Sequence, residues 1–254
     1  MKTSYNLSDM MILGWEKRYF SILKKLNYSE KKDKESALIL DSILKKTNTI
    51  EKIEKIIQGK TVFVIGSGPS LAIAIPKLKK LEKSIKIAAD SSLKPLIDNG
   101  IFPDIVVTDL DGDEDTIKKI SKTKSIFVVH AHGDNIEKLQ MVKKIKNCIG
   151  TTQTNPFNKI QNFGGFNDGD RGVFLASHFD AKKIILFGMD FGNQIGKFSN
   201  TKKSDRETKL KKLEIGRDLL IWLSTITKSE LFTTSKPIEG FRKISYKEVD
   251  NIIT

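Results

Sequence analysis

The chain carries its strongest chemical signal at Thr108-Asp109-Leu110-Asp111-Gly112-Asp113. If the strand runs extended here, side chains alternate and Asp109 and Asp111 fall on one side. Two carboxylates held together repel, and a hard divalent cation relieves the repulsion. Mg²⁺ takes oxygen ligands and commonly uses one or two carboxylates plus substrate phosphates. Asp109 and Asp111 are therefore the expected metal ligands and catalytic residues. An EF-hand does not fit, because the ligand spacing ending in Glu does not follow. A structural acidic turn is the plain alternative.

Five further clusters offer chemistry. Gly66-Ser67-Gly68-Pro69-Ser70 follows a β-branched run, and helical spacing restarts at Leu71 and Ile75. Glycines admit close backbone approach, Pro69 suits a first helical turn, and N–H groups exposed there bind phosphate. Gly66, Ser67, Gly68 and Ser70 are thus candidates for nucleotide binding, although no GKS or GKT follows and a tight turn alone would explain them. Asp90, Ser91 and Ser92 end a second apolar run, where they offer either nucleotide contacts or helix caps. His130-Ala131-His132-Gly133-Asp134-Asn135 has two histidines beside an Asp but no evident third metal ligand. His132 or Asp134 is expected near phosphates or metal, with capping by Asp134 as the alternative. Residues 162–172 are dense in Gly and charge, which reads as a ligand-holding loop offering Asn167, Asp168, Asp170 and Arg171. Gly188-Met189-Asp190-Phe191 is followed by Gly196-Lys197, where Lys197 either closes over phosphates or is simply solvated.

These clusters need a frame to bring them together. β-branched runs at residues 61–65, 85–89, 104–108, 125–129 and 183–187 alternate with helical stretches. The pattern predicts an α/β fold with a mainly parallel, Rossmann-like sheet covered by helices on both faces. On such a sheet ligands bind beyond the carboxyl ends of the strands, where the clusters fall. Residues 8–58 have helical spacing through Met11, Trp15, Phe20, Leu23 and Leu26, then Leu38, Leu40, Ile43 and Leu44, then Ile53, Ile56 and Ile57. A break is expected at residues 27–34. Residues 1–59 are expected to form an α-helical N-terminal cap, in which Trp15, Tyr19 and Phe20 serve packing. Residues 60–254 make the α/β catalytic domain, with a mobile loop from Phe191 through Lys203, a long helix near 206–227 and a short final helix.

The formal charge is +13, but 39 of the 44 basic residues are Lys. Phosphate and guanine recognition favours Arg, so nucleic acid is not the expected partner. Lys118, Lys119, Lys143, Lys144, Lys211 and Lys212 read as solvated helix faces. One cysteine, Cys148, can make no internal disulfide and has no zinc partners, so it is expected to be a buried thiol. The start Met1-Lys2-Thr3-Ser4-Tyr5 lacks the pattern of a signal peptide, and no apolar run reaches membrane-spanning length. A cytoplasmic protein acting on small molecules is expected, and the N-terminal helices offer a surface for a homodimer.

Taken together, the clusters resemble the archaeal MptE-type 6-hydroxymethyl-7,8-dihydropterin diphosphokinases, related to the DUF115 proteins. The resemblance rests on Gly66-Ser67-Gly68-Pro69-Ser70, Thr108-Asp109-Leu110-Asp111-Gly112, His130-Ala131-His132-Gly133-Asp134-Asn135, Gly165-Phe166-Asn167-Asp168-Gly169-Asp170-Arg171 and Gly188-Met189-Asp190-Phe191. It implies attack of a hydroxymethyl group on the β-phosphorus of ATP, with Mg²⁺ and loss of AMP. On this reading Asp109, Asp111, Asp134 and Arg171 are catalytic. ATP falls to Gly66, Ser67, Gly68, Ser70, Asp90, Ser91, His132 and Lys197, and the pterin to Asn167, Asp168, Asp170 and Asp190. The segment from Asp90 to Asp111 is also similar to thiamin diphosphokinases, but has Ser91-Ser92 where that family has paired glycines and Gly112 where it has Ser. A DUF115-type glycosyltransferase using a nucleotide sugar is the other alternative.

Overall fold

The computed structural model describes residues 11–198 and 203–253. Nine strands form one sheet in the order β6-β5-β4-β3-β2-β1-β7-β8-β9, and every neighbouring pair is parallel. The strands are β1 (Thr61–Ile65), β2 (Ile85–Ala89), β3 (Ile105–Thr108), β4 (Ile126–His130), β5 (Cys148–Thr151), β6 (Ile160–Gln161), β7 (Lys183–Phe187), β8 (Glu230–Thr233) and β9 (Arg242–Lys243). The helices are α1 (Trp15–Leu26), α2 (Glu30–Ile43), α3 (Thr49–Ile57), α4 (Leu71–Lys80), α5 (Asp90–Asp98), α6 (Glu114–Ile120), α7 (Asp168–His178), α8 (Arg206–Ser224) and α9 (Val249–Ile253).

Burial on both faces explains why the strands read as continuous apolar runs. In β1, Val62 and Val64 join one core while Phe63 and Ile65 join the other. The first core is closed by α1, α3, α7 and α8, and the second by α2, α4, α5 and α6. The three N-terminal helices therefore divide between the layers and do not lie together on one side.

Several expectations need correction. Four strands, β5, β6, β8 and β9, add to the five read from the sequence. Residues 162–172 are not all loop, because Asp168 opens α7, and Gly172 packs closely on Val64, Ile87 and Val107. The N-terminal break is shorter than expected: Asn27 ends α1 in the left-handed region (φ 54°) and the Ser29 side chain caps α2. Trp15 and Tyr19 are buried as expected, whereas Phe20 is 47% exposed. Cys148 is buried, and burial pushes its thiol up to about 12. Among the described residues no helix is long and apolar enough to cross a membrane. The Met1 to Tyr5 start, and residues 199–202 of the expected loop, lie outside the described residues.

Candidate active site

The carboxyl ends of β1, β2, β3, β4 and β7 converge on a cavity of about 360 Å³. Asp109 follows β3 directly, but the chain does not stay extended. Leu110 turns back with φ 68° and buries its side chain, and the Asp111 N–H donates to Asp109 Oδ1 at 3.2 Å. A left-handed residue, not strand alternation, is what brings Asp109 and Asp111 together. Asp90 opens α5 on the neighbouring strand. Its Oδ2 accepts from the Thr108 hydroxyl and, at 3.1 Å, from the Gly112 N–H. Its Oδ1 is buried and has no hydrogen-bond partner among the described residues. Gly112 has to be glycine here, since a Cβ would run into that same Asp90 oxygen.

Asp168, at the start of α7, completes the set. One oxygen each of Asp90, Asp109 and Asp168 lies within 4.8 Å of the others. Asp111 stands at the exposed rim beside them, hydrogen-bonded to Asp109. Asp90 and Asp168 were expected to contact nucleotide and pterin, and the fold brings both to the candidate metal ligand Asp109. Burial first, then Asp111 and Asp109, pushes the Asp90 carboxyl up to about 7. Burial, then Asp109, Asp90 and Asp111, raises Asp168 well above the usual range. Partial desolvation at the rim and the Asp109 charge lift Asp111 to about 6. Burial alone would raise Asp109 too, but hydrogen bonding and charge from His132, with help from Asp111, outweigh it and hold Asp109 low. So many crowded carboxylates cannot all ionise without a cation. An all-oxygen donor set with an orphaned buried oxygen fits a hard divalent ion such as Mg²⁺.

Buried amide side chains hold the cluster in place. The Asn135 amide donates to the carbonyls of Asp109 (2.8 Å) and His130 (2.7 Å), and its oxygen accepts from the His132 N–H at 3.1 Å. That fixes His132, whose Nε2 lies 3.2 Å from Asp109 Oδ2. A second anchor comes from α2. Buried Asp33 accepts from the Gly133 N–H (2.9 Å), the Gln153 amide (2.7 Å) and the Tyr19 hydroxyl (2.8 Å). The helical N-terminus thus supports the loop after β4. Asp134 is exposed and lies outside the cavity, and the residue at the cap position of the following 3-10 segment is Asn135.

The glycine turn differs from its sequence reading. Gly66 N–H donates to Phe187 O (2.9 Å) and Gly68 N–H to Gly188 O (2.7 Å). Ser70 donates from both N–H (2.8 Å) and hydroxyl (2.7 Å) to Asp190 Oδ2. These N–H groups are occupied within the chain, and an aspartate takes the anion's position at the start of α4. Gly66, Ser67 and Gly68 still line the cavity, and Ser67 and Ser91 share a hydroxyl hydrogen bond of 2.6 Å. Gly196 passes so close over Ser67 O that a Cβ would not fit. Lys197 is exposed and outside the cavity, with its ammonium 5.0 Å from the Phe198 ring.

Most charged groups of the α7 entry serve the helix. Asn167 and Asp170 form a capping box, and Asp170 accepts from the N–H of Phe166 (3.0 Å) and Asn167 (2.6 Å). Buried Arg171 donates to Phe166 O at 2.8 Å and lies behind the cavity wall. The cavity's cations come from α8 instead, where Lys209 and Lys212 line it. The Lys212 ammonium is 5.5 Å from the Tyr28 ring, so Lys212 is no solvated lysine. Sequence reasoning also missed His130, Gln153, Tyr28 and Phe166 as lining residues. Of these, His130 stood in the His-Ala-His cluster, which pointed to His132, and Phe166 in the glycine-rich loop, whereas Gln153 and Tyr28 gave no signal.

Comparison with known proteins places the chain in a family. Residues 39–196 match the family model "6-hydroxymethylpterin diphosphokinase MptE-like". A Methanocaldococcus jannaschii protein named 6-hydroxymethyl-7,8-dihydropterin pyrophosphokinase is 45% identical over 82% of this chain and 94% of its own length. Its namesakes from Pyrococcus furiosus and Methanothermobacter thermautotrophicus are 41% and 35% identical over 87% and 84% of this chain, and over 97% and 95% of their own lengths. A solved Magnetospirillum magneticum MAf glycosyltransferase superposes with TM-score 0.49 at 15% identity, covering 84% of this chain and 39% of that one. Match length and identity together make this chain a member of the MptE-like family of 6-hydroxymethylpterin diphosphokinases.

Proposed function

We propose that the chain transfers diphosphate from ATP to the hydroxymethyl group of 6-hydroxymethyl-7,8-dihydropterin, with Mg²⁺ and release of AMP. The observation that carries this reading is the carboxylate cluster of Asp90, Asp109 and Asp168 with its orphaned Asp90 oxygen. The names of the relatives supply the acceptor. Phosphoryl transfer needs positioning and charge neutralisation more than covalent help from the protein. When bound at Asp90, Asp109 and Asp168, Mg²⁺ would supply neutralisation of the phosphate charge.

The chain's own residues do the rest. Lys209 and Lys212 face the carboxylates from α8 and hold phosphate oxygens as point charges. Asn135 and His132 keep the Asp109 carboxylate in place. The acceptor oxygen forms a bond to the β-phosphorus and loses its proton to solvent. The bond from that phosphorus to the α,β-bridging oxygen breaks, and AMP departs with the oxygen.

The test is to incubate the protein with ATP, Mg²⁺ and the reduced hydroxymethylpterin, then quantify AMP and pterin diphosphate. Equal amounts of both are expected. ADP as product, or AMP formed with thiamin but not with pterin, would overturn the assignment. Asp109→Asn is expected to slow turnover on the order of 10³-fold, about 4 kcal/mol of transition-state stabilisation.

A further inference from the structure

Residues far in sequence from the carboxylate cluster hold it from behind. Asp33 and Ser36 lie three residues apart on one face of α2, and both are buried. The same helix sinks Ala37 and Leu40 into the second core, so it is fixed to the sheet. From there it grips the loop after β4 at two points. Asp33 Oδ1 accepts from the Gly133 N–H at 2.9 Å, and the Ser36 hydroxyl donates to Asn135 Oδ1 at 3.2 Å. The approach is so close that a Cβ on Gly133 would stand 2.6 Å from Lys32 Cβ. Within that loop Asn135 bonds the Asp109 carbonyl and the His132 N–H, and His132 meets the Asp109 carboxylate. Two successive hydrogen bonds, Ser36 to Asn135 and Asn135 to Asp109, thus connect α2 to the candidate metal ligand.

The other oxygen of Asp33 reaches the next loop. Oδ2 accepts from the Gln153 side-chain amide at 2.7 Å and from the Tyr19 hydroxyl at 2.8 Å. Gln153 lines the cavity after β5, and its carbonyl accepts from the Trp15 indole N–H at 2.9 Å. Only a carboxylate accepts on both oxygens, since an amide in its place turns an NH₂ toward one set of donors. Burying a charge is costly, yet Asp33 makes no salt bridge among the described residues. What the arrangement supplies is a fixed spacing between two loops that border the cavity, one of which carries His132.

We propose that Asp33 and Ser36 are positioning residues for the transfer step: neither lines the cavity, and together they hold His132 and the Asp109 main chain where the reaction needs them. The role in transfer rests on the diphosphokinase reading above. The test compares the full chain as wild type, Asp33→Asn, Ser36→Ala and Tyr19→Phe. Tyr19→Phe is the control, because it removes a hydrogen bond from the same carboxylate and leaves both loop contacts in place. Steady-state AMP formation and amide hydrogen exchange are measured on each protein well below its melting temperature, which is measured too.

Asp33→Asn lowers kcat on the order of 10-fold or more, the scale on which small displacements of reacting groups act, while KM for ATP stays within about twofold. Ser36→Ala lowers kcat about threefold with little change in melting temperature. Exchange at residues 132–135 quickens in both. Tyr19→Phe lowers the melting temperature, leaves kcat within about twofold of the wild type and leaves exchange at residues 132–135 unchanged. An unchanged kcat in Asp33→Asn, or a loss as large in Tyr19→Phe, reduces the network to core stability and overturns the proposal. If Asp33→Asn does not fold, Ser36→Ala decides alone, and wild-type kcat with wild-type loop exchange overturns the role. A wild type that forms no AMP removes the transferase reading. Loop exchange then decides, and equal exchange in Asp33→Asn and wild type overturns the clamp as well.

Discussion

At the β1–β7 end of the cavity the N–H groups of Gly66, Gly68 and Ser70 all find acceptors within the chain, while at the β2–β4 end the buried Asp90 Oδ1 finds no donor among the described residues. The first end is complete by itself: backbone meets backbone, and Asp190 neutralises the start of α4. The second end holds repelling carboxylates and the orphaned Asp90 Oδ1. Buried unmatched groups cost about 1–3 kcal/mol each, and a fold keeps them where a ligand matches them. The contrast separates the self-satisfied glycine turn from the unmatched carboxylates, although the sequence marks both equally.

The sharpest way to break the contrast is Asp90→Asn. An amide still accepts from Thr108 and Gly112 but contributes no negative charge to the cluster. The rate of AMP formation should fall on the order of 10³-fold, or about 4 kcal/mol. A loss below tenfold would show that Asp90 is a mere helix-start residue.

Next in size is the effect of the cation on stability. At a hundredfold excess over its dissociation constant, Mg²⁺ should stabilise the wild type by about 2.7 kcal/mol, a rise of about 5–10 °C in melting temperature. The sign with pH follows from Asp90, whose carboxyl the fold raises to about 7. Between about pH 4 and pH 7 the folded, metal-free protein holds a proton that the unfolded chain has released, so this group's contribution to stability falls as pH rises. The Mg²⁺ shift should therefore be larger at pH 8 than at pH 6, and should shrink in Asp90→Asn. Thermal melts at both pH values check it, and equal shifts in the two proteins would contradict the placement of the ion.

The smallest effect belongs to the other end. Asp190→Ala leaves the Ser70 N–H unmatched and should cost about 1–2 kcal/mol in denaturant unfolding. The acceptor's affinity should change little. A large loss of pterin affinity with unchanged stability would return Asp190 to a ligand-binding role and weaken the contrast.

Legibility in the sequence follows the range of the interaction involved. The bounds of β1, β2 and β7 were readable residue for residue, because buried parallel strands demand β-branched runs. β5 contains Gly150, and β6 and β9 have two residues each, so they give too short a pattern to read. α7 was masked by its glycines, although the Asn167 to Asp170 capping box stands in the sequence as a start signal. Asp109 and Asp111 were legible as a pair, but for the wrong reason, since nothing local announces that Leu110 turns left-handed.

Composition and order alone determined the parallel sheet, the carboxyl-end edge where the cavity opens and the acidic turn after β3, because periodicity and strand-end clustering are local. Only the tertiary structure decided which carboxylates come together. Asp168 lies far along the chain from Asp90 and Asp109 and reaches them because Gly172 lets α7 settle against Val64, Ile87 and Val107. It also decided that the glycine turn spends its N–H groups on the chain itself. Those outcomes depend on which partners packing brings within hydrogen-bond distance, and such pairing is invisible to any linear pattern.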